Sequence, residues 1–463
     1  MELRITSRET VKPSSLSKYH LQPYKLCLFD QFTPMTYVSL VIFYRTPLLH
    51  NSNSNLTYLK NSLSETLNLF YPLSGKTKDN LYVDDFDTGV AYMEAEVSCS
   101  MAEFFKLGQT NLLNELVPFP PLRNEVVEAS PKKEVLNIPH VVGFQVNVFE
   151  CGGIALGTSF SHKVADAGTM SHFLKAWATI SSRHHSASSD QDGIITGPNC
   201  SHASLVFPPL NSVPQKYKTT TEKMWFNKKS LVTKRVVFDE NSIAVLKDLA
   251  KSDQVLRPSR NDVLTCFIWK HASIAAATAK GGKARPSVAG LAVNLRPRMK
   301  SKLALDNSIG NLFWWTRSAT VPDVRTVGIS ELVRVMRESL VSFNESVKRS
   351  EESDDVGLAM VSEYYDAMET WFESRETDYY IFTNWSGFYS EVDFGWGKPV
   401  WIGAHGGIGG ERFMKVQVLV EIPGGKGVEA FLTLEEDEMV VLEKDPKFLE
   451  FASFNPQYVP GGD

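Results

Sequence analysis

A chain of 463 residues is long enough for two or three ordinary domains. With 43% apolar and 22% charged residues its composition is globular, neither disordered nor fibrous. A net charge of −5 argues against nucleic acid as a main partner, and five scattered cysteines, an odd number, argue against a disulfide framework.

The opening Met1-Glu-Leu-Arg-Ile-Thr-Ser-Arg8 lacks the apolar core of a signal peptide. No run reaches the roughly 18 apolar residues that a membrane span needs. These features predict a cytosolic protein without a membrane span. The first strand signal is Val38-Ser-Leu-Val-Ile-Phe43. Leu56, Leu59, Leu63, Leu67 and Phe70 recur at steps of three and four and predict a helix, which Pro72 and Gly75 stop. Residues 81–97 suggest a hairpin turning at Asp84–Gly89. Val117-Pro-Phe-Pro-Pro-Leu122 reads as an extended connection. Phe144, Val146 and Val148 alternate with Gln145 and Asn147, the pattern of a half-buried strand.

Cys151-Gly-Gly153 turns the chain into a second apolar run, Ile154 to Phe160, which delivers His162 to its end. Met170, Phe173, Leu174 and Trp177 then fall on one helical face. Residues 181–193 are polar and of low complexity, the best linker candidate, and the chain continues loosely to 228. His184-His185 within it has no further ligand at metal spacing and reads as solvated linker.

The second half starts afresh with a strand at 233–238 and a helix at 239–249. Ser259 or Asn261 suits the cap of a further helix running through Trp269 to Ala279. Residues 288–294 read as a buried strand, 330–347 and the stretch around 361–372 as amphipathic helices, and 414–422 and 428–434 as closing strands. Strands alternating with helices over two halves predict two similar-sized α/β lobes of mixed sheet flanked by helices, a common setting for a site between lobes.

His162 therefore stands at a strand-to-helix junction, where side chains reach a cleft more readily than a core. Its ordinary pKa lies near 6.5, so its neutral form suits general-base work at pH 7. Of ten histidines it alone is followed four residues later by an aspartate, Asp166. That spacing on a helical turn allows Asp166 to orient the imidazole. A second landmark is Asp393-Phe-Gly-Trp-Gly397, a run of rare residues in fixed order. A serine hydrolase would want Gly-x-Ser-x-Gly, which Gly157-Thr-Ser-Phe-Ser161 fails at its last position. A kinase would need the Gly-rich, lysine-strand and His-Arg-Asp motifs that are absent beside Asp393-Phe-Gly395.

Together, His162-x3-Asp166 and Asp393–Gly397 strongly resemble the plant BAHD acyl-CoA-dependent acyltransferases. Tyr71-Pro-Leu-Ser-Gly-Lys76, Asn294-Leu-Arg-Pro-Arg298 and Lys25-Leu-Cys-Leu-Phe-Asp-Gln-Phe32 extend the resemblance over nearly the whole chain, closest to the branch that includes vinorine synthase. The resemblance implies a chloramphenicol-acetyltransferase-like fold. The first lobe would span 1–185, joined by about 393–413, with a crossover at 186–215 and a second lobe at 216–463. It implies transfer of an acyl group from coenzyme A, most naturally acetyl, to a hydroxyl of a terpenoid or alkaloid. An amine acceptor, or a non-catalytic paralogue that binds coenzyme A or a metabolite, is the alternative. Acyl-CoA would be a co-substrate, with no permanent cofactor and no metal, and the protein a monomer.

For the residues, the resemblance implies that His162 is the base and that Asp166 points away to pair with Arg296. It places Phe382-Thr-Asn-Trp-Ser386 near the channel, with Trp385 or Thr383 as oxyanion donors. Ser386 and Gly387 stand where many members carry a Cys or Arg after the Trp, and the run to Asp393 is slightly short, a departure that bears on the channel's shape and not on the reaction. Asp393, Gly395 and Gly397 would be structural. The resemblance makes the Pro258-Ser-Arg-Asn261 loop, led by Ser259, part of the coenzyme A contact; the positive charge that the phosphates need is available from Arg260, Arg298 and Lys234, with Arg235, Arg257 and Lys300 as further cations. Met35, Thr36 and Tyr37 would line the acceptor pocket.

Overall fold

The computed structural model describes residues 1–15, 22–45, 52–119, 140–183, 195–226, 230–299, 303–352, 357–374, 377–404, 414–425 and 427–456. The polar linker with His184-His185, the end of the Pro-rich stretch and Lys300 lie outside them. The first half carries strands β1 (Leu3–Val11), β2 (Tyr24–Lys25), β3 (Tyr37–Tyr44), β4 (Lys76–Lys78), β5 (Tyr82–Asp84), β6 (Val90–Val97), β7 (Val142–Phe149) and β8 (Ile154–Ser161). Its helices are α1 (Leu28–Gln31), α2 (Ser52–Leu69), α3 (Met101–Leu107) and α4 (Ala167–Arg183). Helices α5 (His202–Val206) and α6 (Gln215–Trp225) follow, where the sequence suggests only loose chain.

The second half carries β9 (Leu231–Asp239), α7 (Glu240–Leu249), α8 (Arg260–Ala279), β10 (Ser287–Asn294), β11 (Phe313–Trp315), α9 (Ile329–Glu351), α10 (Leu358–Ser374) and β12 (Asp378–Asn384). It closes with β13 (Trp401–Ala404), β14 (Val416–Glu421), β15 (Gly427–Glu435), α11 (Glu436–Leu442), α12 (Pro446–Leu449) and β16 (Ser453–Phe454).

Among the described residues, six strands form one mixed sheet in the order β1-β6-β7-β8-β3-β13 and seven form the other, β11-β10-β12-β14-β15-β9-β16. The fold is thus two α/β lobes. The chain crosses between them late. After β12 in the second sheet it lays β13 antiparallel on β3 of the first, pairing Trp401 with Phe43, and then returns as β14 beside β12. Among the described residues, no helix is long and apolar enough to cross a membrane.

Two local expectations change. The hairpin at 81–97 does not form: β5 pairs with β2 and β4 in a small third sheet, while β6 pairs with β1 and β7 in the large one. A 3₁₀ turn at Phe86–Thr88 separates them, entered through Asp85 at φ 55. β7 is not half-exposed either. A 3₁₀ segment, Thr110–Leu116, covers its second face. Gln145 Nε2 donates to Glu115 O (2.9 Å), and Asn147 Nδ2 donates to Leu116 O and Ala155 O (2.9 Å each). The polar members of the alternation are buried because their amides find backbone partners, which offsets the cost of burial.

Candidate active site

β8 is buried along its whole length and pairs with β3 and β7. His162 is the next residue, and its N–H extends the ladder by one step, donating to Thr36 O at 2.7 Å. The chain then turns into α4. Asp166 caps that helix, its Oδ1 accepting from Thr169 N at 2.8 Å.

The two residues of the motif face different partners. Arg296 Nη1 donates to Asp166 Oδ2 at 2.7 Å and Nη2 to Oδ1 at 3.1 Å, a two-pronged buried pair. Leu312 N adds a further donor at 3.0 Å. Burial alone would raise the Asp166 carboxyl, but Arg296 and the backbone donors hold it below the usual carboxylate range. Arg296 also donates to Ser308 O and Gly310 O, so the pair ties α4 to the loop before β11. A Cβ on Gly168 would lie 2.7 Å from Arg296 Nη1, which explains the absent side chain there.

The imidazole is oriented by a different residue. His162 Nδ1 lies 3.0 Å from Asn311 Oδ1. Asn311 Nδ2 donates to His162 O (2.6 Å) and to Asp30 Oδ1 (2.8 Å). The His162 carbonyl can only accept, so the amide nitrogen must face it and the amide oxygen must face Nδ1. Nδ1 therefore carries the proton and Nε2 the lone pair. Asp30, fully buried, fixes the asparagine by also accepting from Asn311 N at 2.7 Å. Burial lowers the His162 pKa, which keeps the ring neutral. No spacing rule picks out Asn311 or Asp30.

His162 lines an open cleft with about 860 Å³ of empty space. Its walls are largely aromatic. Trp225 of α6 stands edge-on to the imidazole at 5.3 Å between ring centres, Phe313 lies at 5.7 Å, and Trp315 contacts both. Trp225 was hidden because the sequence around it gave no helix signal, whereas Phe313-Trp-Trp315 is a visible aromatic run. Thr383, Trp385 and Tyr37 also line this cleft. Met35 and Thr36 do not: Met35 is 62% exposed, and Thr36 is buried with its carbonyl on His162 N.

A second cleft, lined by Arg298 and Asn261, shares Ala292, Asn294, Thr383 and Asn384 with the first. A third, lined by Ser259 and Arg260, shares Asn261 and Asn384 with the second. The three lie side by side in a row from His162 to the start of α8. Ser259 caps α8, accepting from Asp262 N at 3.1 Å, so the helix N-terminus opens on this row. Arg260 is paired with Glu421 at 2.9 Å, and Arg298 holds Asn344 and Asn294 O. Lys234 is not brought to these clefts. It sits on β9, near the far edge of the second sheet, 3.3 Å from Glu443. Arg235 is likewise committed to Glu429 at 2.6 Å, buried.

Asp393–Gly397 lines none of these clefts. Asp393 Oδ1 accepts from Gly395 N (2.8 Å) and Gly397 N (2.9 Å), both glycines at positive φ (91° and 85°).

A family model, "Transferase family", matches residues 1–449. Akuammiline synthase 2 of Alstonia scholaris is 33% identical, covering 98% of both chains. The limonoid 7-O-acetyltransferase of Citrus sinensis is 32% identical over 98% of this chain and 99% of its own. Among solved structures, vinorine synthase matches at 28% identity with a TM-score of 0.77, covering 97% of this chain and 98% of its own. F. sporotrichioides TRI101, complexed with coenzyme A and T-2, shares the fold at 16% identity and a TM-score of 0.68, over 94% of this chain and all of its own.

Proposed function

The chain belongs to the Transferase family of BAHD acyl-CoA-dependent acyltransferases, and from that premise we propose that it acetylates a hydroxyl of a terpenoid or alkaloid, with acetyl-CoA as donor. The observation that carries this reading is a neutral His162 whose Nδ1 is engaged by Asn311, leaving Nε2 for an aromatic-walled cleft that continues toward Ser259 and Arg298. The O-acetyltransferase activity of limonoid relatives supports the acceptor class.

A thioester is already activated, so a direct attack suffices. The acceptor oxygen attacks the carbonyl carbon as its proton passes to His162 Nε2. The tetrahedral oxyanion takes hydrogen bonds from the Thr383 hydroxyl or the Trp385 indole N–H, which flank the cleft. Collapse expels the coenzyme A sulfur, which takes the proton back from the imidazolium. Asp166 contributes through Arg296 to holding α4 and the Ser308–Asn311 loop together, which positions Asn311 and so the base. The α8 N-terminus, Arg260 and Arg298 serve the phosphates of the donor. Tyr37 and the Trp225 wall serve an apolar, bulky acceptor.

The test is acceptor-dependent thiol release from acetyl-CoA, using purified protein and a panel of hydroxylated terpenoids, alkaloids and phenolics, with amines alongside. Release with an alcohol, and an ester product by mass, is the expected outcome. Release only with amines would make the protein an amide-forming enzyme. Failure to bind coenzyme A would leave a metabolite-binding paralogue.

A further inference from the structure

The three clefts meet at one side chain. Among the described residues, Asn384 alone lines all of them. It is the last residue of β12, it is exposed, and it stands between Thr383 and Trp385 of the His162 cleft. Its Oδ1 accepts from Ser386 N at 2.9 Å. That bond turns the side-chain oxygen back on its own loop and presents the Nδ2 end as a donor.

A chain laid from Ser259 to His162 along these three clefts runs beside this residue. On the coenzyme A reading above, which this inference takes as its basis, the thing that passes is the pantetheine arm. The arm is a thin chain with two secondary amides. Each of its carbonyls leaves water on entering and needs a donor in its place. The junction is lined by apolar side chains, Leu291, Ala292, Val293 and Phe382 on one side and Leu264 and Leu419 on the other, interleaved with polar ones such as Asn261, Asn294 and Thr383, and of the described polar groups Asn384 alone borders all three clefts. We infer that Asn384 is a binding residue for the acyl donor, its Nδ2 donating to a pantetheine carbonyl at the bend between the nucleotide end and the reacting end. Its effect is to fix the register of the arm, so that the thioester stops opposite His162.

The experiment needs no acceptor. Calorimetric titration of the wild type, N384A and N384D with coenzyme A is compared with titration by 3′,5′-ADP, which has the phosphates but no arm. Aspartate keeps the shape and the bond from Ser386 N but cannot donate when ionised. Both variants are expected to bind coenzyme A more weakly, N384A by about two- to ten-fold, the worth of one neutral hydrogen bond, and N384A to bind 3′,5′-ADP as the wild type does. Unchanged affinity for coenzyme A would overturn the inference. An equal loss for 3′,5′-ADP in N384A would also overturn it, since the effect would then come from the nucleotide end or from a general disturbance. If the wild type itself ignores coenzyme A, the donor reading falls first and this one with it.

Discussion

His162–Asp166 and Asp393–Gly397 are the two most recognisable stretches of the chain, and they do opposite kinds of work. The first sits on the cleft wall, with a neutral ring facing empty space. The second is a loop whose backbone and carboxylate are exposed while its two aromatic side chains point into packed interior. Phe394 is fully buried, edge-on to Trp177 of α4 at 5.0 Å and to Tyr44 of β3 at 6.0 Å. Trp396 packs on Tyr44 at 5.4 Å, and the Tyr44 hydroxyl donates to Val392 O at 2.9 Å. The loop precedes β13, the strand that the second half lends to the first sheet. A fixed residue order can therefore come from conformational demand alone: a carboxylate to hold two N–H groups, glycines where φ is positive, aromatic rings to pack the loop against β3 and α4. The same division runs inside the first motif, where His162 faces the cleft and Asp166 faces Arg296.

The sharpest break between the regions is in turnover. H162A should lose about 10²- to 10⁴-fold in kcat while its melting temperature and coenzyme A affinity stay near wild type. F394A should do the reverse. Truncating a buried phenylalanine costs roughly 3–5 kcal/mol of stability, read as a lower denaturant midpoint, while the surviving folded enzyme keeps its kcat. A stable F394A that has lost its turnover would place the second motif in the chemistry and erase the contrast. D166N sharpens the division within the first motif. It leaves the buried Arg296 without its counter-charge, a loss on the order of 3 kcal/mol. A fall in melting temperature is expected along with any fall in rate. A D166N protein of wild-type stability with pure loss of turnover would restore Asp166 as the orienting partner of His162.

How much of this was legible in the chain follows the range of the forces. The lobes, the long helices and the strand that carries His162 have local signatures, because burial repeats at fixed periods. The β5–β6 hairpin failed because turn chemistry at Asp84–Gly89 is compatible with strands that then join different sheets. The polar faces of Gln145 and Asn147 misled because their backbone partners come from a segment about thirty residues earlier in the chain. The site divides in the same way. His162 ends a strand, so the strand announces it. Trp225 and Asn384 reach the cleft, and Asn311 reaches the imidazole behind it, from three separate elements, and only the packing of the lobes brings them together. Lys234 had the right charge and the wrong strand.

The smallest expected effect tests what holds the base. Burial lowers the His162 pKa, while a backbone hydrogen bond, the charge of Asp166 and, after them, the hydrogen bond with Asn311 raise it part of the way back. Protonation removes the lone pair, so kcat/KM should fall as pH drops through the folded-state pKa, at a point below the ordinary value near 6.5. The same depression means that folding gains from the neutral ring above about pH 6.5 and that this gain shrinks as pH falls toward the folded value. N311A removes one contribution that favours the charged ring. Its acid limb should therefore move to lower pH, while the plateau rate drops because Nδ1 has lost the acceptor that fixed the tautomer. The check is a pair of pH–rate profiles, wild type and variant, on one acceptor. A limb that moves upward, or a plateau that does not drop, would mean that Asn311 neither tunes nor orients the ring, and the histidine would then need another partner to face its lone pair into the cleft.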